Sequence, residues 1–560
     1  MQTSNKDSDS GKEIPEETLV EESIVKPAAP GLALKHPIRL LIVVMALGWI
    51  FNYLFWKQPV GVNFALFLAL ALLGGALLLL PEGYRPARNS LWLLIPLLFF
   101  AAVTFVRQEA LTIFLAFTLA LFTVGLFTTS YLGGRWHLYR LTNYLHKFFL
   151  LFTDLIARPV FFFNQARVSS SRLSKEEKIF PIAGVMRGFA IALPVVLCFG
   201  TLLASADLVF SQKINDLFDP QQITENLQQL LIILFIAYVL AGTFIHAARE
   251  SKDENITRDD KPFIKPFLGF AESSVVLGSV AFLFFTFVVI QFQYFFGGQT
   301  NIGVEGFTYS QYARRGFNEL VIVAFFSLVL ILGLSTITRR ENEIQKKIYS
   351  GLSVTVVALV MVILVSAYQR ISLAISWHGF SRLRLYPRVF LIWLGILLVV
   401  VALLELYRYE RYFAFAAVLA SIGFAASLTF VNVDAAIVSH NVPRTLHGKN
   451  LNVAHLASLS VDAVPALIEQ FNSDRYSQKV HEGVGAALTC YLHRDSLEES
   501  NRGDWRSFNL ARWRAHAELQ KMEKYLQDYG VNAQEPWDIK VRTPGNNWYP
   551  CHYYETTRED

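Results

Sequence analysis

The fold is decided by residues 38–80, IRLLIVVMALGWIFNYLFWKQPVGVNFALFLALALLGGALLLL, in which the short turn Lys57-Gln58-Pro59-Val60 separates two apolar runs. Each run has about twenty residues, the length that an α-helix needs to cross a hydrocarbon core of about 30 Å. Both runs are continuously apolar rather than alternating, and an isolated span must satisfy its own backbone hydrogen bonds. The sequence therefore predicts two transmembrane helices here rather than barrel strands.

Runs of the same kind recur along most of the chain. Predicted spans lie at 38–56, 60–80, 90–106, 110–130, 181–203, 227–248, 268–294, 318–338, 350–368, 387–406 and 412–432. The composition agrees, since 53% of the residues are hydrophobic and 17% are charged, a balance unlike that of a soluble fold. The predicted fold class is all-α: a polytopic transmembrane helical bundle of about 11 spans within 35–432, followed by a C-terminal soluble helical domain, 433–560.

Two segments fall outside the predicted spans. Residues 1–34 are polar and acidic, so we expect a disordered cytoplasmic tail. The segment 131–180 contains an apolar stretch, 148–163, that is short and includes Asp154, Arg158 and Pro159. We expect it to lie in the membrane interface rather than to cross. A crossing there would invert every later loop.

The positions of lysine and arginine predict an orientation. Loops after even-numbered spans carry more than twice as many of them as loops after odd-numbered spans, and cytoplasmic loops are the ones enriched in these residues. The N-terminus is therefore predicted in the cytoplasm. With eleven spans, the C-terminal domain is predicted outside it.

The densest polar group adjoins the eighth span and contains Arg314, Arg315 and Glu319. On a helix Arg315 and Glu319 share one face, so they are placed to pair where the chain enters the membrane, and an unpaired glutamate there is costly. One reading is a structural pair that anchors the span. The other is an ion-pair site that gates a pathway or holds a lipid head group.

A second group follows the ninth span. Its members are Arg370, His378, Arg382 and Arg384, interleaved with aromatic residues. Arginine beside aromatic rings suits phosphate head groups, and it also suits ordinary anchoring at a span end. Both groups belong to odd-side loops and are expected to face one compartment. Glu272, next to two serines in the seventh span, is a further candidate, with a proton-linked role as its functional reading.

The C-terminal domain is predicted to be helical, with Asn452 and Ser460 as helix caps. It holds seven of the 12 histidines and two of the three cysteines, but their spacing matches no standard zinc pattern, so no metal is predicted. Outside the cytoplasm, Cys490 and Cys551 are candidates for a disulfide that ties down the aromatic C-terminal stretch.

No nucleotide-binding or nucleophile motif is present, and no cofactor is predicted. The net charge of +5 lies in short patches, so no nucleic-acid partner is expected.

Three stretches carry a family resemblance: ARRGFNEL at 313–320, YQRISLAISWHGFSRLRLY at 368–386, and NVDAAIV at 432–438 followed by LNVAHLASLSVDAVPAL at 451–467. Together they resemble an uncharacterised family of bacterial multi-pass membrane proteins, known as a domain of unknown function, over roughly residues 180–520. The resemblance implies the bacterial cell (inner) membrane and supplies no mechanism.

These features lead to one functional expectation and one alternative. We expect a non-enzymatic envelope scaffold or sensor that contacts the lipid bilayer and an envelope protein partner, the latter through 433–560. The alternative is a transporter or lipid-handling protein that uses the arginine and glutamate cluster at the outer face. An enzymatic function has the least support, and the sequence gives no oligomeric state.

Overall fold

The computed structural model describes residues 34–173, 199, 207, 220–253, 267–296, 317–497, 504–533 and 538–552. Apart from Leu34, the predicted tail lies outside the described residues. The predicted span 181–203 also lies outside them, except for Phe199. The described chain is helical apart from one small sheet, in agreement with the predicted all-α class.

Within the described ranges, ten helices are long and apolar enough to cross a membrane. They are α1 (Pro37–Phe55), α2 (Val62–Leu79), α3 (Leu94–Val106, after a short helix Arg88–Leu91), α4 (Ala110–Thr129), α6 (Pro220–Arg249), α7 (Phe270–Phe296), α8 (Phe317–Ile337), α9 (Glu343–His378), α10 (Arg382–Leu406) and α11 (Phe413–Val431). Each coincides with a predicted span, so a multi-pass membrane protein is confirmed.

Local sequence signals set the helix ends near the candidate site. Glu109 caps α4, because its carboxylate accepts hydrogen bonds from the Leu111 and Thr112 amides. The α9 helix begins with a capping box formed by Asn342 and Gln345, and Gly379 caps its C-terminal end. Gly379 has φ of 83°, a left-handed backbone that glycine adopts without strain.

The first group of helices packs around an antiparallel pair, α1 and α6. Gly48 of α1 lies against α6 so closely that an added Cβ would stand 2.5 Å from the Ile233 carbonyl oxygen. Further along the pair, the Asn52 amide donates to Gln229 at 2.9 Å, and Lys57 pairs with Glu225 at 2.7 Å. The second group is α7 to α11, and α11 joins it to α4.

The two ends of the bundle differ in charge. The loops that follow α2, α4, α6, α8 and α10 meet at one end, shown by hydrogen bonds such as Gly133 N to Ser251 O at 3.0 Å and Arg411 Nε to Leu138 O at 3.1 Å. We call it the basic end because its described loops and helix termini hold Arg85, Arg88, Arg135, Arg140, Arg249, Lys252, Arg339, Arg340, Lys346, Lys347, Arg408 and Arg411. The opposite end is the junction end.

A long helix, α5 (Leu141–Leu173), accounts for the described part of the segment expected in the interface. It runs antiparallel to α6, from the Lys147–Asp253 pair to Ile156, whose carbonyl accepts from the Tyr238 hydroxyl. At 1.5 Å per residue, the part of α5 between Lys147 and Ile156 is about 14 Å long. The segment 148–163 therefore packs alongside α6, a candidate span, and its expected place in the membrane interface stays a prediction. Its charged side chains are paired with α6 and its end rather than with water.

The C-terminal region, 433–552, packs on the junction end. Its helices are α12 (Val433–Asn441), α13 (Val453–Ala457), α14 (Val464–Phe471), α15 (Gln478–Leu497) and α16 (Leu510–Met522), with 3₁₀ turns at Pro443–His447, Val461–Ala463, Trp505–Ser507 and Glu523–Tyr525. Fully buried Leu467, Val484 and Leu488 lie in its core, which continues into α10 and α11 through Leu385 and Leu428.

This region also contains strands that the helical prediction lacked. The strands β1 (Gly530–Asn532), β2 (Lys540–Arg542) and β3 (Trp548–Pro550) form an antiparallel sheet in the order β1-β2-β3. Val541 of β2 is fully buried, and Cys551, directly after β3, forms a disulfide with Cys490 of α15.

Candidate functional site

Three buried carboxylates meet where the C-terminal region contacts the bundle. They belong to Glu109 at the start of α4, Asp434 in the first turn of α12 and Asp462 in the turn before α14, and their residues are 3%, 0% and 4% exposed. Burial of charge is costly unless each group is paired or hydrogen-bonded. We call these three residues, with Arg107, Arg382 and Tyr386, the junction cluster.

Arg382 and Asp434 form the shortest ion pair of the cluster. The Arg382 Nε and Nη2 atoms donate to the two Asp434 carboxylate oxygens at 2.8 and 2.6 Å, the bidentate geometry in which arginine binds carboxylates best. The Ser460 amide donates to Asp434 Oδ2 at 2.7 Å. Asp434 thus joins the first residue of α10 to the loop before α14.

Asp462 joins the same loop to the α3–α4 turn. Its Oδ2 accepts from the amides of Gln108 at 2.7 Å and Glu109 at 3.0 Å, and Arg107 Nη1 lies 3.7 Å from Oδ1. Burial raises the pKa of the Asp462 carboxyl, while the Gln108 amide and the Arg107 charge oppose that shift. The carboxyl therefore protonates more readily here than in water.

Glu109 is held on both sides. One carboxylate oxygen accepts from Thr112 Oγ1 at 2.6 Å, and the other accepts from the Tyr386 hydroxyl. With all groups ionised, the cluster holds three carboxylates against two arginines, and the positive N-terminal end of α4 offsets part of the excess. The arrangement is suited to fixing the C-terminal region on α3, α4, α10 and α11 and to responding to protonation.

The structure brings together some of the residues predicted as a site. Arg382 is in the junction cluster, and Arg384 Nη1 donates to the Gly379 carbonyl at 3.1 Å. His378 is the last residue of α9, with Nδ1 3.3 Å from Ala374 O. Arg370 is buried on α9 two turns earlier. Arg370 and His378 thus lie in the last turns of α9, and Arg382 and Arg384 lie in the first turn of α10.

Other predicted residues lie elsewhere. Glu319 is exposed in the first turn of α8, and Arg314 and Arg315 lie outside the described residues. Glu272 is exposed at the basic end, where its carboxylate accepts from the Gly269 amide at 2.9 Å. The α10 helix, about 37 Å long, separates Arg382 from Glu405 at that end, so Glu272 is not part of the same site.

The sequence analysis missed four members of the cluster as site residues: Arg107, Glu109, Tyr386 and Asp462. It also quoted Asp434 only within a family motif. A signal was present, since Asp434 and Asp462 are both the centre of a Val-Asp-Ala triplet that follows a polar capping residue, Asn432 or Ser460. Each cap accepts from a backbone amide of the turn that it begins.

A second buried group of charges lies toward the basic end, between α5 and α6. His246 Nδ1 is 2.8 Å from Asp154, which also accepts from Arg158 at 2.9 Å, and Arg158 reaches Glu250 at 2.6 Å. His246 is 1% exposed, and its Nε2 atom has no hydrogen-bond partner among the residues that the structure describes. Among the residues that the structure describes, no group of three or more histidine, cysteine, aspartate or glutamate side chains is placed to hold a metal ion.

Residues 94–470 match the model of a family described as a domain of unknown function, DUF4153. This match covers more than half of the chain and spans every member of the junction cluster. The chain belongs to the DUF4153 family. The match begins and ends earlier than the resemblance over 180–520 suggested, so the family region includes α3 and α4. Comparison of this DUF4153 protein with curated proteins and with solved structures gives no match.

Proposed function

We propose that this DUF4153 protein is a non-enzymatic scaffold or sensor of the bacterial cell envelope. In this proposal it lies in the cell (inner) membrane with its N-terminus in the cytoplasm, and its C-terminal region, 433–552, is extracytoplasmic and binds an envelope protein. One observation carries the proposal: the C-terminal region is fixed through buried charge pairs to the end of the bundle that lies opposite the basic loops.

Charge supports the orientation. The basic end has arginine or lysine in each described loop, and such loops face the cytoplasm in multi-pass membrane proteins. The junction end then faces away from the cytoplasm. The disulfide between Cys490 and Cys551 supports the same side, because disulfides persist in oxidising compartments and are rare in the cytosol.

Packing favours a C-terminal region that forms one unit with the bundle, as a sensor or scaffold requires, over a C-terminal domain tethered by a flexible linker. The core of the C-terminal region is continuous with α10 and α11, and the junction cluster contacts the α3–α4 turn as well. A partner that shifts this region would therefore act on three separate parts of the bundle. A domain on a flexible linker would transmit no such displacement.

The transporter or lipid-handling alternative receives less support. Its arginines make internal contacts, because Arg382 binds Asp434 in a bidentate pair and Arg384 donates to the Gly379 carbonyl. Glu272 lies at the other end of the bundle. Arg314 and Arg315 lie outside the described residues, so the joint site stays a prediction.

Cysteine accessibility tests the orientation. In a Cys198→Ser background, Asp474→Cys places a thiol on the exposed surface of the C-terminal region, and Glu341→Cys places one on the exposed basic end. An impermeant thiol reagent applied to intact cells should label position 474 only. Labelling of position 341 only would refute an extracytoplasmic C-terminal region.

Photo-crosslinking tests the partner. A photoreactive residue at Tyr525, which is 69% exposed, should crosslink to an envelope protein in intact cells, whereas the same residue at position 341 should not. Absence of any protein adduct, both at Tyr525 and at exposed positions of the preceding helix α16, would contradict the scaffold and sensor proposal.

A further inference from the structure

The segment 504–514 lies at the level where three spans, α1 to α3, reach the junction end. The Phe508 carbonyl accepts a hydrogen bond from the amide of Val62 at 2.9 Å, and Val62 is the first residue of α2. Because α2 has 18 residues, it is about 27 Å long, close to the thickness of a hydrocarbon core. Its first residue therefore marks the hydrocarbon boundary, and Phe508 lies at that boundary.

Two more contacts fix the same depth. The Asn509 side chain donates to the carbonyl of Arg107, directly after α3, at 3.1 Å. The Arg506 guanidinium donates to the Tyr53 carbonyl near the end of α1 and lies 5.0 Å from the Tyr53 ring centroid. The segment is thus fixed to the junction ends of three spans. It cannot move away from the bundle unless these contacts break.

Three large apolar side chains of this segment are exposed. Trp505 is 55% exposed, Phe508 38% and Trp513 57%, and exposed Arg514 adjoins Trp513. We call these four residues the interface patch. Indole rings beside arginine match the boundary between acyl chains and phosphate groups, where the ring is apolar and the cation meets an anion.

The lipid-facing surface of α1 continues this patch. Trp49 and Tyr53 are 61% and 46% exposed and stack with ring centroids 6.0 Å apart. Arg506 lies over the same Tyr53 ring. Arg506, next to Trp505 in the chain, thus connects the aromatic pair on α1 to the segment that carries the interface patch.

We propose that the interface patch is inserted into the head-group boundary of the same bilayer, so that lipid covers it. The C-terminal region is then partly membrane-embedded at the junction end, and only its remaining surface is open to a protein partner. This inference goes beyond the proposed function and does not depend on it, since it holds for either orientation of the protein.

The experiment measures the surroundings of single spin labels. Full-length protein with Cys198→Ser carries Trp505→Cys, Trp513→Cys or the matched control Trp548→Cys, and each label is attached after reconstitution into phosphatidylethanolamine and phosphatidylglycerol vesicles. Trp548 is 49% exposed on β3. Although Cys551 after β3 is bonded to Cys490, Trp548 lies at the other end of that strand, where it pairs with Arg542. Thr543, the next residue after Arg542, donates to Glu482 at 2.8 Å, so Trp548 lies toward the N-terminal end of α15.

Oxygen partitions into lipid and a nickel chelate stays in water, so the ratio of their collision rates reports the depth of each label. With the chelate on both faces of the vesicles, we expect this ratio to be severalfold higher at positions 505 and 513 than at 548. Ratios equal to that at 548 would overturn the proposal. Shielding of both labels from oxygen and from nickel would also overturn it and would indicate a second copy of the chain on the patch.

Arg514→Cys provides the same measurement if a tryptophan replacement fails to fold. Its label should likewise be closer to lipid than the label at position 548.

Discussion

Replacement of Asp434 by asparagine should release the C-terminal region from the bundle. The substitution keeps the side-chain shape but removes the charge that receives two hydrogen bonds from Arg382. Asp434 is 0% exposed, while the Arg382 side chain is 32% exposed. Removing one partner of a buried pair costs about 3 to 5 kcal/mol, and partial solvation of Arg382 favours the lower value of about 3 kcal/mol.

Hydrogen exchange of α14 measures this loss. Its amides exchange through local opening, so a loss of about 3 kcal/mol should accelerate their exchange about 100-fold in reconstituted protein. Asp538→Asn provides the control, because its pair with Lys540 is 54% and 46% exposed and contributes at most about 1 kcal/mol.

Equal exchange rates in the Asp434→Asn and Asp538→Asn variants would refute the assignment of docking energy to the junction cluster. A double-mutant cycle with Arg382→Gln separates the pair from general damage. The second substitution should add little once Asp434 is gone, since the two residues share one interaction.

Three further predictions concern pH, the disulfide and helix packing. The pKa of Asp462 in the folded protein is raised above its ordinary value of 3.8. Docking in the wild-type protein should therefore strengthen relative to Asp462→Asn as the pH falls through the folded pKa, and the full gain is reached below 3.8. A difference in α14 exchange between the two proteins that stays constant from pH 7 to 4 would contradict this prediction. Cys551→Ala opens a link across 61 residues and should reduce the stability of the C-terminal region by about 2 to 4 kcal/mol; a reductant should then lower the unfolding temperature of the wild-type protein and leave the variant unchanged. Gly48→Ala should destabilise the α1–α6 contact by about 1 to 3 kcal/mol, whereas Gly278→Ala, which has no atom of the described residues within 4 Å of the added Cβ, should not; equal unfolding temperatures of the two variants would exclude close α1–α6 packing.

The spans were predictable because hydropathy depends only on local sequence. The packing of α5 on α6 was not predictable, because it depends on Asp154 and Arg158 pairing with His246 and Glu250, which lie in a distant segment of the chain. Sequence periodicity also does not reveal the three short strands that begin at Gly530. The outer strands β1 and β3 are held by pairing with β2, and the disulfide fixes the residue after β3.

The junction cluster was only partly predictable for a similar reason. Arg382 was identified from its aromatic neighbours, but its partner is 52 positions away, and Glu109 and Asp462 are separated by 353 positions. No local pattern reports such a contact. The repeated Val-Asp-Ala triplet marks the two aspartates but not the basic groups that they meet.

The length of α9 has a mechanical consequence. A helix of 36 residues is about 54 Å long, and it would need a tilt of about 55° to fit inside a 30 Å core, beyond the range seen for membrane helices. It therefore projects into water. Arg444 of the C-terminal region donates to the Ser376 and Trp377 carbonyls at one tip, and Arg408 binds Glu343 at 2.7 Å at the other. A rotation of α9 by about 5° around its midpoint moves each end by about 2 Å. A displacement at one membrane surface is therefore transmitted to the opposite surface through a single helix.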